Sequence, residues 1–134
     1  MIKNLTDLTV RPEASLLDTI AAISKGTKQI ALVIDDAGVL LGTVTDGDVR
    51  RGLLRGLDMK ALVTEVMNPN PTTASVGDDA QTVMVEQLAR MIHSVPVIDA
   101  SGKVVGLFYL DNFARAGKRS GAWMTTYRSQ HKLG

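Results

Sequence analysis

The chain has 134 residues, 45% of them hydrophobic and 22% charged, and its 15 Lys and Arg against 14 Asp and Glu leave a formal net charge of +1. That balance argues against an electrostatic nucleic-acid binder, and the absence of Cys excludes a disulfide framework, thiolate catalysis and Cys-ligated zinc. No apolar run reaches the ~20 residues of a membrane span, and Met1-Ile2-Lys3-Asn4-Leu5-Thr6-Asp7 lacks the charged-then-apolar order of a signal peptide, so a cytoplasmic protein is expected.

Leu8-Thr9-Val10 reads as a short first strand. Ser15-Leu16-Leu17-Asp18 has the form of a capping box. Leu16, Ile20 and Ile23 follow at helical spacing until Gly26. Ile30 to Ile34 is an apolar run of strand length, and Asp35-Asp36-Ala37-Gly38 is a turn, since Asp and Gly tolerate its backbone angles. Val39 to Val44 forms the antiparallel return strand, and a helix runs from Asp46 to about Gly56. The prolines of Val66-Met67-Asn68-Pro69-Asn70-Pro71 then impose an extended path. Thr72-Thr73-Ala74 adds a strand, and Asp78 or Asp79 caps a helix with Val83, Met84, Leu88 and Met91 on one face. Val95 to Ile98 is the next strand, with Pro96 at its start or on an edge. Asp99-Ala100-Ser101-Gly102 is a turn, Lys103 to Tyr109 a strand, and Asp111 or Asn112 opens a last helix.

The second half repeats the first. Val33-Ile34-Asp35 returns as Val97-Ile98-Asp99, Gly38 as Gly102 and Gly42 as Gly106, at a constant offset of 64 residues. Each half alone, roughly 60 residues, is only marginally stable. Two β-α-β-β-α repeats packed about a pseudo-twofold axis bury a common core and leave clefts between them. The fold class is therefore α+β. The units are 5–58, a linker 59–71, 72–116, and a basic tail 117–134.

The order of elements, with Gly42-Thr43-Val44-Thr45-Asp46-Gly47-Asp48-Val49, the Val66-to-Pro71 linker and His93-Ser94-Val95-Pro96-Val97-Ile98-Asp99, resembles the tandem CBS domain, or Bateman module. The likeness covers about residues 5 to 116. Gly42 through Leu57 looks more narrowly like the CBS pairs that precede bacterial sugar-phosphate nucleotidyltransferases, the nucleoside-diphosphate-sugar pyrophosphorylases. The chain has no room for such a catalytic domain, and a parent or partner enzyme of that class is expected.

The resemblance implies an α/β-type CBS fold that binds AMP, ADP, ATP or a related adenosyl ligand between the repeats, works as a regulatory module without chemistry of its own, and assembles as a homodimer. It needs no cofactor beyond that regulatory ligand. The implied cleft combines Thr45, Asp48, Arg51, Pro71, Thr72, Thr73, His93, Ser94 and Pro96. Asp48 suits the ribose hydroxyls, because a carboxylate is a strong acceptor. Thr45, Arg51 and the helix N-terminus near Asp46 suit a phosphate. The resemblance puts His93 near the phosphates and Pro96 beside the base.

The mates of these residues do not follow. The second cleft would hold Leu8, Thr9, Gln29, Ile30, Leu32, Tyr109 and Asn112. One competent and one degenerate site are expected.

Blander readings stand beside these. Asp48 is also a helix-capping residue, Thr45 a strand end, and Asp46-Gly47-Asp48 a turn more readily than a metal site. Arg50, Arg51 and Arg55 fit a solvated helix face, and the six Met fit core filler. Leu53, Leu54 and Phe113 are candidates for a dimer interface. The tail, with Arg115, Lys118, Arg119, Trp123, Tyr127, Arg128 and Lys132 and no acid after Asp111, reads as an extension or linker. The alternative to a sensor is an assembly module whose clefts take no ligand.

Overall fold

The computed structural model describes residues 1–110. The expected last helix, Asn112 of the second cleft, Phe113 and the tail all lie outside those residues. The first repeat runs β1 (Thr9–Val10), α1 (Leu16–Gly26), β2 (Ile30–Ile34), β3 (Leu40–Thr45) and α2 (Asp46–Leu54). The second runs β4 (Ala74–Ser75), α3 (Ala80–Leu88), β5 (Ser94–Ile98) and β6 (Val104–Tyr109). The strands form two three-stranded sheets, β1-β2-β3 and β4-β5-β6, each with one parallel and one antiparallel pairing.

Local chemistry accounts for the element boundaries. The Ser15 hydroxyl accepts from Asp18 N–H (3.1 Å) while Ser15 N–H donates to the Asp18 carboxylate (3.2 Å), the expected capping box of α1. Asp35 Oδ1 accepts from the N–H groups of Ala37 and Val39, and Asp99 Oδ1 from those of Ser101 and Lys103. Gly38 and Gly102 take φ of +87° and +88° in the two turns. The Ser101 hydroxyl, with the Lys103 amide behind it, holds the Asp99 carboxyl below its ordinary value.

Several expectations shift. The third helix ends at Leu88, because Ile92 N–H returns to the Gln87 carbonyl (3.0 Å). Met91 therefore leaves the helical face, takes φ +62° and is 80% exposed. Of the methionines in the described residues only Met84 is fully buried, whereas Met1, Met59 and Met91 are exposed. The fourth strand starts at Ala74 rather than Thr72.

Pro96 sits inside β5, the central strand of its sheet, not at a start or edge. Two facts make this possible. Its partner Leu107 bonds outward to Ile2 through both backbone groups (2.8 Å each), so β6 asks nothing of the missing Pro96 N–H. On the other side β4 begins one residue late: Thr9 pairs with Leu32 in the first sheet, but pairing in the second starts at Ala74 with Val97.

Each sheet has one face on its own helices. Leu16, Ile23, Val33, Val44 and Val49 fill the first core, and Met84, Val95, Val97, Phe108 and Leu110 the second. The opposite faces meet between the repeats. There the turns bond reciprocally, Leu40 N–H to the Gly102 carbonyl (3.0 Å) and Val104 N–H to the Gly38 carbonyl (3.1 Å). These are equivalent bonds at the 64-residue offset, so the pseudo-twofold axis passes between them.

The linker is held as firmly. Asn68 exchanges both backbone bonds with Thr43 (3.1 and 2.8 Å), extending the first sheet as Ile2 extends the second. Gly42 permits this approach, since a Cβ there would lie 2.7 Å from the Asn68 carbonyl oxygen and 2.8 Å from Met67 Sδ. At Gly106 the obstacle is the end of the flexible Met1 side chain. Gly42→Ala is expected to destabilise the fold by about 1–3 kcal/mol through overpacking, and Gly106→Ala by clearly less. Urea midpoints of the two variants check this, and equal midpoints would contradict it.

Candidate functional site

The layer between the repeats is unequal. Leu8, Ile30, Leu32 and Leu107 form a buried aliphatic cluster there. Their mates at the 64-residue offset are Thr72, Ser94, Pro96 and Thr43. All four mates line a cavity of about 250 Å³, together with Ile30, Thr45, Asp48, Asn68, Pro71 and Ile92. One side of the axis is thus packed shut by branched side chains, and the other, built from smaller and more polar ones, stays open.

The cavity continues outward. A second hollow of about 310 Å³ shares Ile30, Thr45, Ile92 and Ser94 with it and adds Gln29, Asp46, Gly47, Met91 and His93. Gln29 and His93 are mates, as are Ile30 and Ser94, so this outer part straddles the axis. The Ser94 hydroxyl donates to the Lys28 carbonyl (3.4 Å), which brings the starts of β2 and β5 side by side. On the closed side Lys28 replaces Ile92 and Tyr109 replaces Thr45, with Lys28 Nζ 5.1 Å from the centre of the Tyr109 ring.

Of the residues implied for the first cleft, Thr45, Asp48, Pro71, Thr72, Ser94 and Pro96 meet around the inner cavity, and His93 joins at the outer one. Thr73 lines neither. Arg51 lines neither, and its guanidinium is bonded to Asp48 Oδ1 (2.5 Å) beside Gly47. For the second cleft the placement differs from expectation. Gln29 lines the open cavity, because the starts of β2 and β5 share one mouth, while Ile30 belongs to the closed cluster and also walls the open cavity. Leu32 is fully buried core, and the Thr9 hydroxyl donates to the Thr6 carbonyl (3.4 Å).

Thr43, Asn68 and Ile92 were not singled out from the sequence. The signal for Thr43 was present, since it stands two residues before Thr45 on one strand and so shares its face.

The strand-to-helix corner holds the polar groups. Asp48 Oδ2 accepts from Thr45 N–H (2.9 Å) and from the Thr45 hydroxyl (3.1 Å). The Thr45 oxygen in turn accepts from Asp48 N–H (3.4 Å). The capping reading of this pair is therefore realised. The Asp48 side chain remains 17% exposed, and the corner presents the free N–H groups of the first turn of α2. Arg55 donates to the Glu65 carbonyl (3.0 Å), and Arg50 is exposed.

Among the described residues no three His, Asp or Glu gather as metal ligands. A flatter hollow of about 560 Å³ on α3 involves only Asp79, Gln81, Thr82, Val85 and Glu86. It brings no groups together from different elements.

Residues 1–55 match the family model described as CBS domain. Among solved structures, CBSX2 in complex with AMP superposes with a TM-score of 0.69 at 25% identity, over 89% of this chain and 92% of that one. The CBS domain protein PAE2072 of Pyrobaculum aerophilum, complexed with AMP, superposes with a TM-score of 0.70 at 16% identity, over 91% of both chains. The fold is that of a CBS pair.

Residues 76–133 also match the model described as Peptidase family M3. In this fold the described part of that span holds α3, β5 and β6, which repeat α1, β2 and β3. The span carries no His-Glu-x-x-His, the spacing by which a helix holds zinc for peptide hydrolysis. Arabinose 5-phosphate isomerase GutQ of Salmonella typhi is 33% identical over 103 residues, 77% of this chain and 32% of that protein. The chain spans about a third of the length of the curated relatives it matches. The GutQ relatives bear an isomerase name and lend no support to the expected nucleotidyltransferase association.

Thr45→Ala removes the acceptor for Asp48 N–H and is expected to lower stability by about 1 kcal/mol. Urea unfolding with an unchanged m-value is the check, and an unaltered midpoint would deny Thr45 its capping role.

Proposed function

We propose that this CBS pair is a cytoplasmic regulatory module that takes one adenine nucleotide, AMP, ADP or ATP, in the open cleft and passes that state to an attached or partner enzyme. The observation that carries the reading is the inequality of the two clefts: four buried aliphatic side chains fill one, and their polar or small mates line the other. The cleft is concave and of ligand size, with a few convergent polar groups.

Asp48 accepts the ribose hydroxyls. Thr45, the first turn of α2 and His93 receive the phosphate, since an anion is favoured where helix N–H groups are free. Pro96, Ile30 and Ile92 supply apolar walls for the base. A ligand held by both repeats stabilises their mutual packing, and that differential affinity is what an attached enzyme can sense. A sugar-phosphate enzyme is the class of partner we propose, in line with the isomerase relatives. A structural alternative rests on exposed apolar side chains, Leu17 and Leu54 of the first repeat and Met59 and Leu62 of the linker. In that reading the module serves only to assemble copies of itself.

Isothermal titration with AMP, ADP, ATP and S-adenosylmethionine separates the two. The sensor binds one nucleotide per chain and loses at least tenfold in affinity on Asp48→Ala. No binding by the unmodified chain selects assembly, and two equivalent ligands per chain would overturn the one-site reading.

Arg51 gives a sharper test because it already occupies Asp48 Oδ1. A ribose must displace it, whereas a phosphate gives the freed guanidinium a new partner. Arg51→Ala is therefore expected to raise affinity for adenosine while lowering it for AMP. A parallel loss for both ligands would contradict this exchange.

A further inference from the structure

We infer that Thr43 is the base-reading residue of the open cleft, its hydroxyl bonding a polar group on the edge of the ligand's base. The inference rests on the cleft being a nucleotide site, and it adds which group sets the base preference. Thr43 is 6% exposed and lines the inner cavity. Both of its backbone groups are committed to Asn68, its N–H donating and its carbonyl accepting. Its hydroxyl makes no hydrogen bond to any described residue. A buried hydroxyl without a partner costs roughly 1–3 kcal/mol, and its mate Leu107 shows that an aliphatic side chain suits this place in the fold. A polar atom at this depth is therefore explained by what enters the cavity.

Position supports the role. Leu32 pairs with Thr43 and faces the inter-repeat layer, so the Thr43 side chain faces that layer too. Thr43 stands two residues from Thr45, about 7 Å along the strand at 3.3–3.4 Å per residue. Thr45 is bonded to Asp48. A nucleoside with its ribose at Asp48 therefore carries its base one strand repeat inward, beside Thr43. Asn68 lines the same part of the cavity, and its Oδ1 is held by Asn70 N–H (3.0 Å).

The experiment titrates the unmodified chain, Thr43→Val and Thr43→Ser with AMP, IMP and GMP. Val keeps the branched shape without the hydroxyl, and Ser keeps the hydroxyl. The expected result is that the preferred nucleotide loses about tenfold on Thr43→Val, that its preference over the other two shrinks by a similar factor, and that Thr43→Ser retains the preference. An equal loss for all three nucleotides overturns the inference, since it marks an effect on cleft shape alone, and so does an unchanged preference ratio. If the unmodified chain binds none of them, the nucleotide reading falls first and this inference with it.

Discussion

Everything specific to this chain follows from how two equivalent sheet faces fill one shared layer. The reciprocal bonds between the Asp-x-x-Gly turns bring the faces together about a single axis. Once they meet, each position on one face confronts the same kind of space as its mate. Close packing then makes small differences decisive, because an interior at near-crystalline density has no slack to absorb them. Leu8, Ile30, Leu32 and Leu107 close one side, while Thr72, Ser94, Pro96 and Thr43 remove enough side chain from the other to leave a cavity. Stability and site formation are thus divided between the halves. The closed side contributes buried apolar area on the order of 1.5–3 kcal/mol for each fully buried large side chain, and the open side forgoes part of it.

The open side retains its shape because its polar groups are tied down locally. Thr45 and Asp48 cap α2 with each other, and Asn68 is fixed to the edge of β3 by two backbone bonds. Such capping makes the corner rigid without a ligand, which favours binding by reducing the ordering that binding must impose. Capping and the proposed ribose contact are therefore compatible readings of Asp48. The cap aims the carboxylate, and Arg51 occupies the oxygen that the cap leaves over. The Asp48–Arg51 pair is largely exposed on the Arg side and contributes little to stability, so a better partner can exchange with it.

Local signals were legible in the sequence and long-range ones were not. The capping box at Ser15, the two Asp-x-x-Gly turns and the strand β2 appear where residue chemistry puts them, since each depends on neighbours within a few positions. The repeat supplied the architecture as well, because a constant offset implies equivalent folds. What escaped depends on contacts across the axis. Gln29 was assigned to the second cleft with the other mates, yet the starts of β2 and β5 share one mouth and it lines the open cavity; Ile30 packs in the closed cluster and also walls that cavity. Pro96 was read as a start or edge residue because a central strand needs N–H donors. The late start of β4 and the outward bonds of Leu107 remove that need. Thr43 was overlooked because its face is apolar at the equivalent Leu107.

The same geometry ties ligand recognition to the arrangement of the repeats. The inner cavity takes Thr43, Thr45 and Asp48 from the first repeat, Ser94 and Pro96 from the second, and Asn68 and Pro71 from the linker. A molecule filling it touches both repeats at once, so its binding energy depends on their relative placement, and by linkage that placement responds to the molecule. The closed cleft, across the axis, is a buried contact of branched side chains. Filling one cleft with leucine and isoleucine therefore leaves a single cleft through which one molecule can contact both repeats and the linker.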